Sequence, residues 1–109
     1  MAEGQRIKIW VKEPGKKPEK REIELSLRNL QEIVGGYVET LTIGDGDVII
    51  CNEEGLINDL PFNCSLHIPY GTHRLFGTIA LLGADEDEFT SAKHSLESHG
   101  DHEERCYVS

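Results

Sequence analysis

Residues 27–63, LRNLQEIVGGYVETLTIGDGDVIICNEEGLINDLPFN, decide the fold, because their apolar spacing changes period at marked points. Leu27, Leu30, Ile33 and Val34 recur at helical spacing, while Arg28, Asn29, Gln31 and Glu32 take the other face. Ser26 stands where a hydroxyl can accept an unpaired N–H of the first turn. Gly35 stands where a left-handed cap ends a helix, since glycine reaches positive φ without a Cβ clash, and Gly36 lets the chain turn back. Residues 37–43 then read as a strand, Gly44-Asp45-Gly46-Asp47 as a turn, and residues 48–52 as a buried strand. Residues 53–60 read as one short helical turn stopped at Leu60-Pro61.

Toward the N-terminus, Ile7, Ile9 and Val11 alternate with Lys8, Trp10 and Lys12. That period predicts a half-buried strand with a basic outer face. Pro14-Gly15 and Pro18 punctuate a lysine-rich loop, and Ile23 and Leu25 resume the alternation, so the segment reads as an antiparallel hairpin with a basic tip.

Toward the C-terminus, residues 63–71 read as a loop, with Pro69-Tyr70-Gly71 as a turn. Residues 75–82 read as one central strand whose Gly77 marks a bulge or a close backbone approach. Residues 85–88 make an acidic turn, Phe89 anchors to the core, and residues 90–98 suit a short helix. Residues 99–109 are polar, and the expectation is a flexible tail dispensable for folding. The predicted fold is a single α+β domain over residues 1–98, an antiparallel sheet of about five strands with one main helix on one face and a short C-terminal helix.

A chain of 109 residues with 38% hydrophobic content can form one core without staples. No apolar run approaches the roughly 20 residues of a membrane span, and the opening residues lack the apolar segment of a signal peptide. Three widely spaced cysteines, Cys51, Cys64 and Cys106, suit reduced thiols in a cytoplasmic protein. The net charge of −9 is uneven. Residues 1–28 hold eight bases and five acids, whereas residues 85–109 hold two bases and eight acids. Such a surface repels a phosphate backbone, which disfavours nucleic acid as a partner away from the basic hairpin.

The Glu13-Pro14-Gly15 hairpin tip, LQEIVGGYVE, NEEGLINDLPFN and the closing GTIALLGADEDEFTS occur in an order that resembles domain-of-unknown-function family 3846. The resemblance runs from about Ile7 to Ser91. It implies an accessory protein of a phage or mobile element in a bacterial cytoplasm, and it transfers no catalytic role. Cys64–His73 is longer and more polar than the resemblance predicts, and the histidine-rich tail lies outside it.

Candidate sites are few. His94, His99, His102 and Cys106 carry the donor types of a tetrahedral zinc site, though without the paired spacing of established zinc motifs. Zinc is the cofactor this donor set would take, and otherwise no cofactor is expected. Cys51, Cys64 and His67 make a weaker cluster, for which core packing is the commoner use. Glu53 and Glu54, with Asn52 and Asn63, form the best polar pocket, since adjacent carboxylates can serve as acid and base. Neighbours along a strand point to opposite faces, however, and the plainer reading is a turn built on Asn52. Cys64 and His67, with Ser65 between them, are close enough in sequence to suggest a nucleophile and its base. Asp85, Glu86, Asp87 and Glu88 form an acidic surface that would steer a basic partner. Trp10 with Lys8, Lys12, Lys16, Lys17, Lys20 and Arg21 forms a basic–aromatic one, which could also meet the acidic half of a second copy in a homo-oligomer.

The favoured function is a non-enzymatic accessory protein that binds a host protein or host signalling ligand, as in counter-defence, without a membrane partner. The alternative is a small metal-binding or hydrolytic protein using Glu53, Glu54, His67 or the tail histidines. Convergent polar side chains in a concavity would favour the alternative; an exposed apolar patch would favour binding.

Overall fold

The computed structural model describes residues 4–44, 46–55, 57–86 and 88–109. Alternating residues at the N-terminus build β1 (Arg6–Lys12) and β2 (Glu19–Glu24), paired antiparallel from Arg6↔Glu24 to Val11↔Glu19. Helix α1 (Leu27–Val34) follows. The Ser26 hydroxyl accepts from the Asn29 N–H at 3.0 Å, and Gly35 closes the helix in the left-handed conformation at φ 78°. Leu30 and Val34 are buried, but Leu27 is half exposed and lies off the packed stripe. The second hairpin joins β3 (Val38–Gly44) to β4 (Asp47–Asn52).

Beyond β4 the expectations fail in an informative way. The described residues of 53–59 are in turns, with Asn58 N–H on the Glu54 carbonyl, and none of the described residues of 53–60 is helical; Leu56, within the expected helical turn, lies outside the described residues. The expected loop 63–71 is a hairpin of β5 (Phe62–Ile68) and β6 (Gly71–Phe76). Gly77 splits the predicted central strand, leaving β7 (Ile79–Asp85) on its far side. Its φ is +75°, and the Leu60 side chain occupies the space a Cβ would need. A short β8 (Glu88–Thr90) folds back on β7.

No C-terminal helix forms. Residues 91–95 are irregular, followed by β9 (Leu96–His99) and β10 (Arg105–Val108). The segment expected as a flexible tail therefore supplies a strand. β10 lies between β5, to which it runs parallel, and β9, which it meets antiparallel. The physical reason is burial: Leu96 and Cys106 are almost wholly enclosed, and two inward residues on neighbouring strands suffice to fix the segment.

The strands make two sheets rather than one. The larger runs β2-β1-β7-β4-β3, with β8 on β7; the smaller runs β6-β5-β10-β9. Helix α1 covers one face of the larger sheet through Leu30 and Val34 against Ile9, Val11, Ile50 and Leu82. The smaller sheet covers the other face through Cys64, Leu66, Leu75 and Cys106 against Ile49, Ile79 and Leu81. The result is three layers, helix on sheet on sheet. All six residues of β4 and the first five of β7 are buried, as sandwiching between two layers requires. Among the described residues no helix is long and apolar enough to cross a membrane.

The second sheet also corrects the face assigned to β1. Trp10 is half buried against the inter-sheet core, with the Lys20 ammonium 5.8 Å from its ring. Lys12, expected in solvent, is 0% exposed. Of the expected basic face only Lys8 stays in solvent on this strand.

Candidate functional site

The polar block after β4 is anchored by Asn52. This buried side chain donates from Nδ2 to the Val34 carbonyl at 3.1 Å and accepts the Glu54 N–H on Oδ1 at 2.7 Å. It thereby ties the end of α1 to the 53–59 turn, the structural use foreseen for it. The next two residues diverge. Glu53 lines a cleft of about 160 Å³ with Glu39, Cys51, Arg74 and Phe76. Glu54 lines a groove of about 260 Å³ with Gln31, Tyr37 and Asn58. An acid and a base must reach the same reacting centre, and these two carboxylates open onto different concavities.

In the Glu53 cleft, the Arg74 guanidinium lies 5.1 Å from the Phe62 ring and 5.6 Å from the Phe76 ring. Stacking on both rings holds it in place. Burial, and next the Glu39 carboxylate, push the Cys51 thiol up to about 11. At neutral pH it is a protonated core group rather than a nucleophile.

Asn63 lines neither of these two concavities. It is buried, accepts from Lys12 Nζ at 2.7 Å, and donates to the carbonyls of Lys12 and Gly77 at 2.8 and 2.7 Å. Beside this pair lie Cys64 and Cys106. The neighbouring Cys106 sulfur, and next burial, raise the Cys64 thiol far above its ordinary range; the same neighbour lowers Cys106, and the Lys12 ammonium lowers it further. Cys64 cannot work with His67, because the two residues lie three apart on β5, one buried and one exposed.

The zinc quartet is dispersed. Cys106 is in the core, His99 packs on Tyr107 with ring centroids 5.6 Å apart, and His102 is exposed in the turn before β10. Among the described residues no three of His, Cys, Asp and Glu gather around a point that could hold a metal. The quartet fails because it presumed a helix or a free turn where an alternating strand stands.

His94 has a different setting. The Asp47 carboxylate, with 0% side-chain exposure, lies 3.1 Å from His94 Nδ1 through Oδ2. It also accepts the backbone N–H groups of Lys93 and His94. His94 lines a cleft of about 130 Å³ with His67, between the ends of the two sheets. Asp47 was legible only as a turn residue, and nothing in its local sequence points to residue 94. Arg74 carried a signal that went unused, being the only base between residues 29 and 84.

The acidic cluster sits at the β7–β8 connection. Asp85 is already paired with Lys93 at 3.2 Å, Glu86 takes a positive φ of 54° in the turn, and Glu88 is exposed. Asp87 lies outside the described residues.

Layers of helix, sheet and sheet, with polar clefts at the sheet margins, define a small α+β domain. The chain belongs to the family described as Domain of unknown function (DUF3846), whose profile matches residues 7–102. The match extends past Ser91 and takes in His94, His99 and His102, which the resemblance had left outside. No curated protein matches the chain, and no solved structure matches it.

Proposed function

We propose that this chain is a non-catalytic accessory protein of a phage or mobile element, and that it binds a host protein in a bacterial cytoplasm. The observation that carries the reading is the surface at the end of α1 and the 53–59 turn. Tyr37 is 66% exposed there, and Ile57, in that turn, 78%. The groove between α1 and the turn is walled by the amides of Gln31, Asn52 and Asn58 and by the Glu54 carboxylate. An exposed aromatic and an aliphatic beside a polar wall is the anatomy of a protein interface, where large side chains anchor and a polar rim excludes water. The divergence of Glu53 and Glu54 weighs against that pair as the acid and base of a hydrolytic alternative. The mobile-element setting rests on the resemblance of the sequence blocks. Three free, buried thiols suit a reducing compartment.

The net charge of −9 favours a partner with a basic surface. The test is capture from a bacterial lysate by the whole chain, compared with Tyr37→Ala and Ile57→Ser variants. Both variants are expected to lose the specific partner while keeping the melting temperature. Association measured with the purified partner should then slow as salt rises. Capture untouched by these variants but abolished by reversing Lys16, Lys17 and Lys20 would place the working surface on the basic hairpin instead.

A further inference from the structure

Two imidazoles face the cleft between the sheet ends, and each is held by its Nδ1 edge. A carboxylate can only accept, so the proton between Asp47 and His94 resides on His94 Nδ1. The lone pair of the neutral ring is then on Nε2, on the edge away from the buried aspartate. His67 Nδ1 lies 3.2 Å from the Thr72 hydroxyl across the β5–β6 pair, and that hydroxyl can accept the Nδ1 proton when Nε2 binds a metal. The cleft they share holds about 130 Å³, room for a cation and several waters. Among the described residues Ile43, Gly44, Ile68, Pro69 and Val108 provide the rest of its wall. The nearest base in sequence, Lys93, is directed elsewhere, donating to the Gly46 carbonyl at 3.0 Å and pairing with Asp85.

A histidine whose second nitrogen donates to a buried carboxylate is the arrangement that orients imidazole toward a metal and raises its basicity. We propose that this cleft binds one divalent transition-metal ion of the zinc or nickel class, held by Nε2 of His94 and of His67 with water completing the shell. Two imidazole nitrogens are the donors that the described lining offers, and imidazole suits zinc and nickel better than calcium or magnesium. This site is distinct from the sequence-derived quartet: it shares His94 with it and replaces the other three members. It also gives the buried Asp47 a role beyond securing residues 93 and 94.

The experiment is calorimetric titration of the whole chain with zinc chloride in a non-coordinating buffer. Long-range ¹H–¹⁵N spectra of the imidazoles are recorded alongside. One ion per chain is expected, with the largest shifts on Nε2 of His67 and His94. His67→Gln and His94→Gln should each weaken binding by about tenfold or more. Asp47→Asn should weaken it by about 10- to 100-fold, the usual effect of losing a carboxylate behind a ligating histidine. Affinity should fall as pH is lowered, because the ligating nitrogens must be unprotonated. His99→Gln/His102→Gln is the control and should bind as the parent chain does. Should Asp47→Asn fail to fold, the two histidine variants decide alone, since neither removes a core side chain. No binding up to about 1 mM zinc, a free energy weaker than roughly −4 kcal/mol, would overturn the proposal. So would loss of binding in the His99/His102 control with the cleft variants unaffected.

Discussion

Lys12 and Asn63 hold each other twice. The ammonium donates to the amide oxygen at 2.7 Å, and the amide nitrogen returns a bond to the lysine's own carbonyl at 2.8 Å. The only other oxygen bonded to the ammonium among the described residues is the Glu13 carbonyl, at 3.4 Å. Removing the amide strands a buried charge. Asn63→Ala should therefore destabilise by about 3–5 kcal/mol, the range for breaking a buried charged pair from one side. Lys12→Met/Asn63→Leu should recover part of that loss, because replacing both partners by apolar groups leaves less unsatisfied. Denaturant midpoints for the three proteins test this. An Asn63→Ala effect within about 0.5 kcal/mol, the scale of a surface substitution, would mean that the ammonium reaches water.

The helix is secured by few residues. Leu30 is fully enclosed against the larger sheet. Leu30→Ala should cost about 2–5 kcal/mol through lost transfer energy and the cavity left behind. Leu27→Ala, on the same helix but half exposed, should cost far less. Equal effects in a denaturation series would show that the helix face is not the one described.

Deleting residues 99–109 should be severe. The deletion removes β10 from between β5 and β9 and uncovers Cys64, Leu66 and Leu96. A fall in melting temperature of more than about 10 °C is expected, since each kcal/mol is worth roughly 4–8 °C in a domain near this size. A truncated chain that melts within a few degrees of the parent would restore the view of these residues as a tail.

Alkaline pH should expose the Cys51 thiol. Its folded-state value is raised to about 11 from an ordinary 9.0 by burial and then by Glu39. A raised value means that the folded state prefers the protonated thiol. Its stabilisation is complete below about 9, where neither state ionises, and is lost as pH climbs toward 11. The stability difference between the parent chain and Cys51→Ala should shrink across that window. A difference that stays constant from pH 8 to 11 would mean that the thiol ionises equally in both states.

The legible part of the fold was the part with long, clean periods. Ser26, Leu30, Val34 and Gly35 announced the helix, and Ile7, Ile9 and Val11 announced β1. The second sheet was hidden by composition. Cys64 and Leu66 alternate with Ser65 and His67 as a half-buried strand should, yet the polar members suggested a loop. β9 and β10 have four residues each, too short for a period to register. Without the second sheet, Lys12 and Trp10 had no reason to be anything but solvent-facing. Of the site residues, Asn52 was readable because its partners are local: Glu54 is two residues away, and the helix end is fixed by Gly35. The pairing of Asp47 with His94 spans most of the fold and depends on the path of residues 91–95, which local pattern does not encode.

The position of β7 has a consequence for how the molecule is made. It lies between β1 and β4, two strands that belong to separate local hairpins. Both hairpins can form early, but each keeps one open edge until apolar residues from position 79 onward insert between them. The segment that inserts is IALLGA, residues 79–84, and until then it is unpaired, β-prone chain of the kind that recruits neighbouring chains. The acidic run that follows it at residues 85–88 stands where charge interrupts such stacking. Those carboxylates thus act as a guard on the newly made chain. Neutralising Asp85, Glu86 and Glu88 should leave the finished domain nearly as stable while lowering its refolding yield at high concentration.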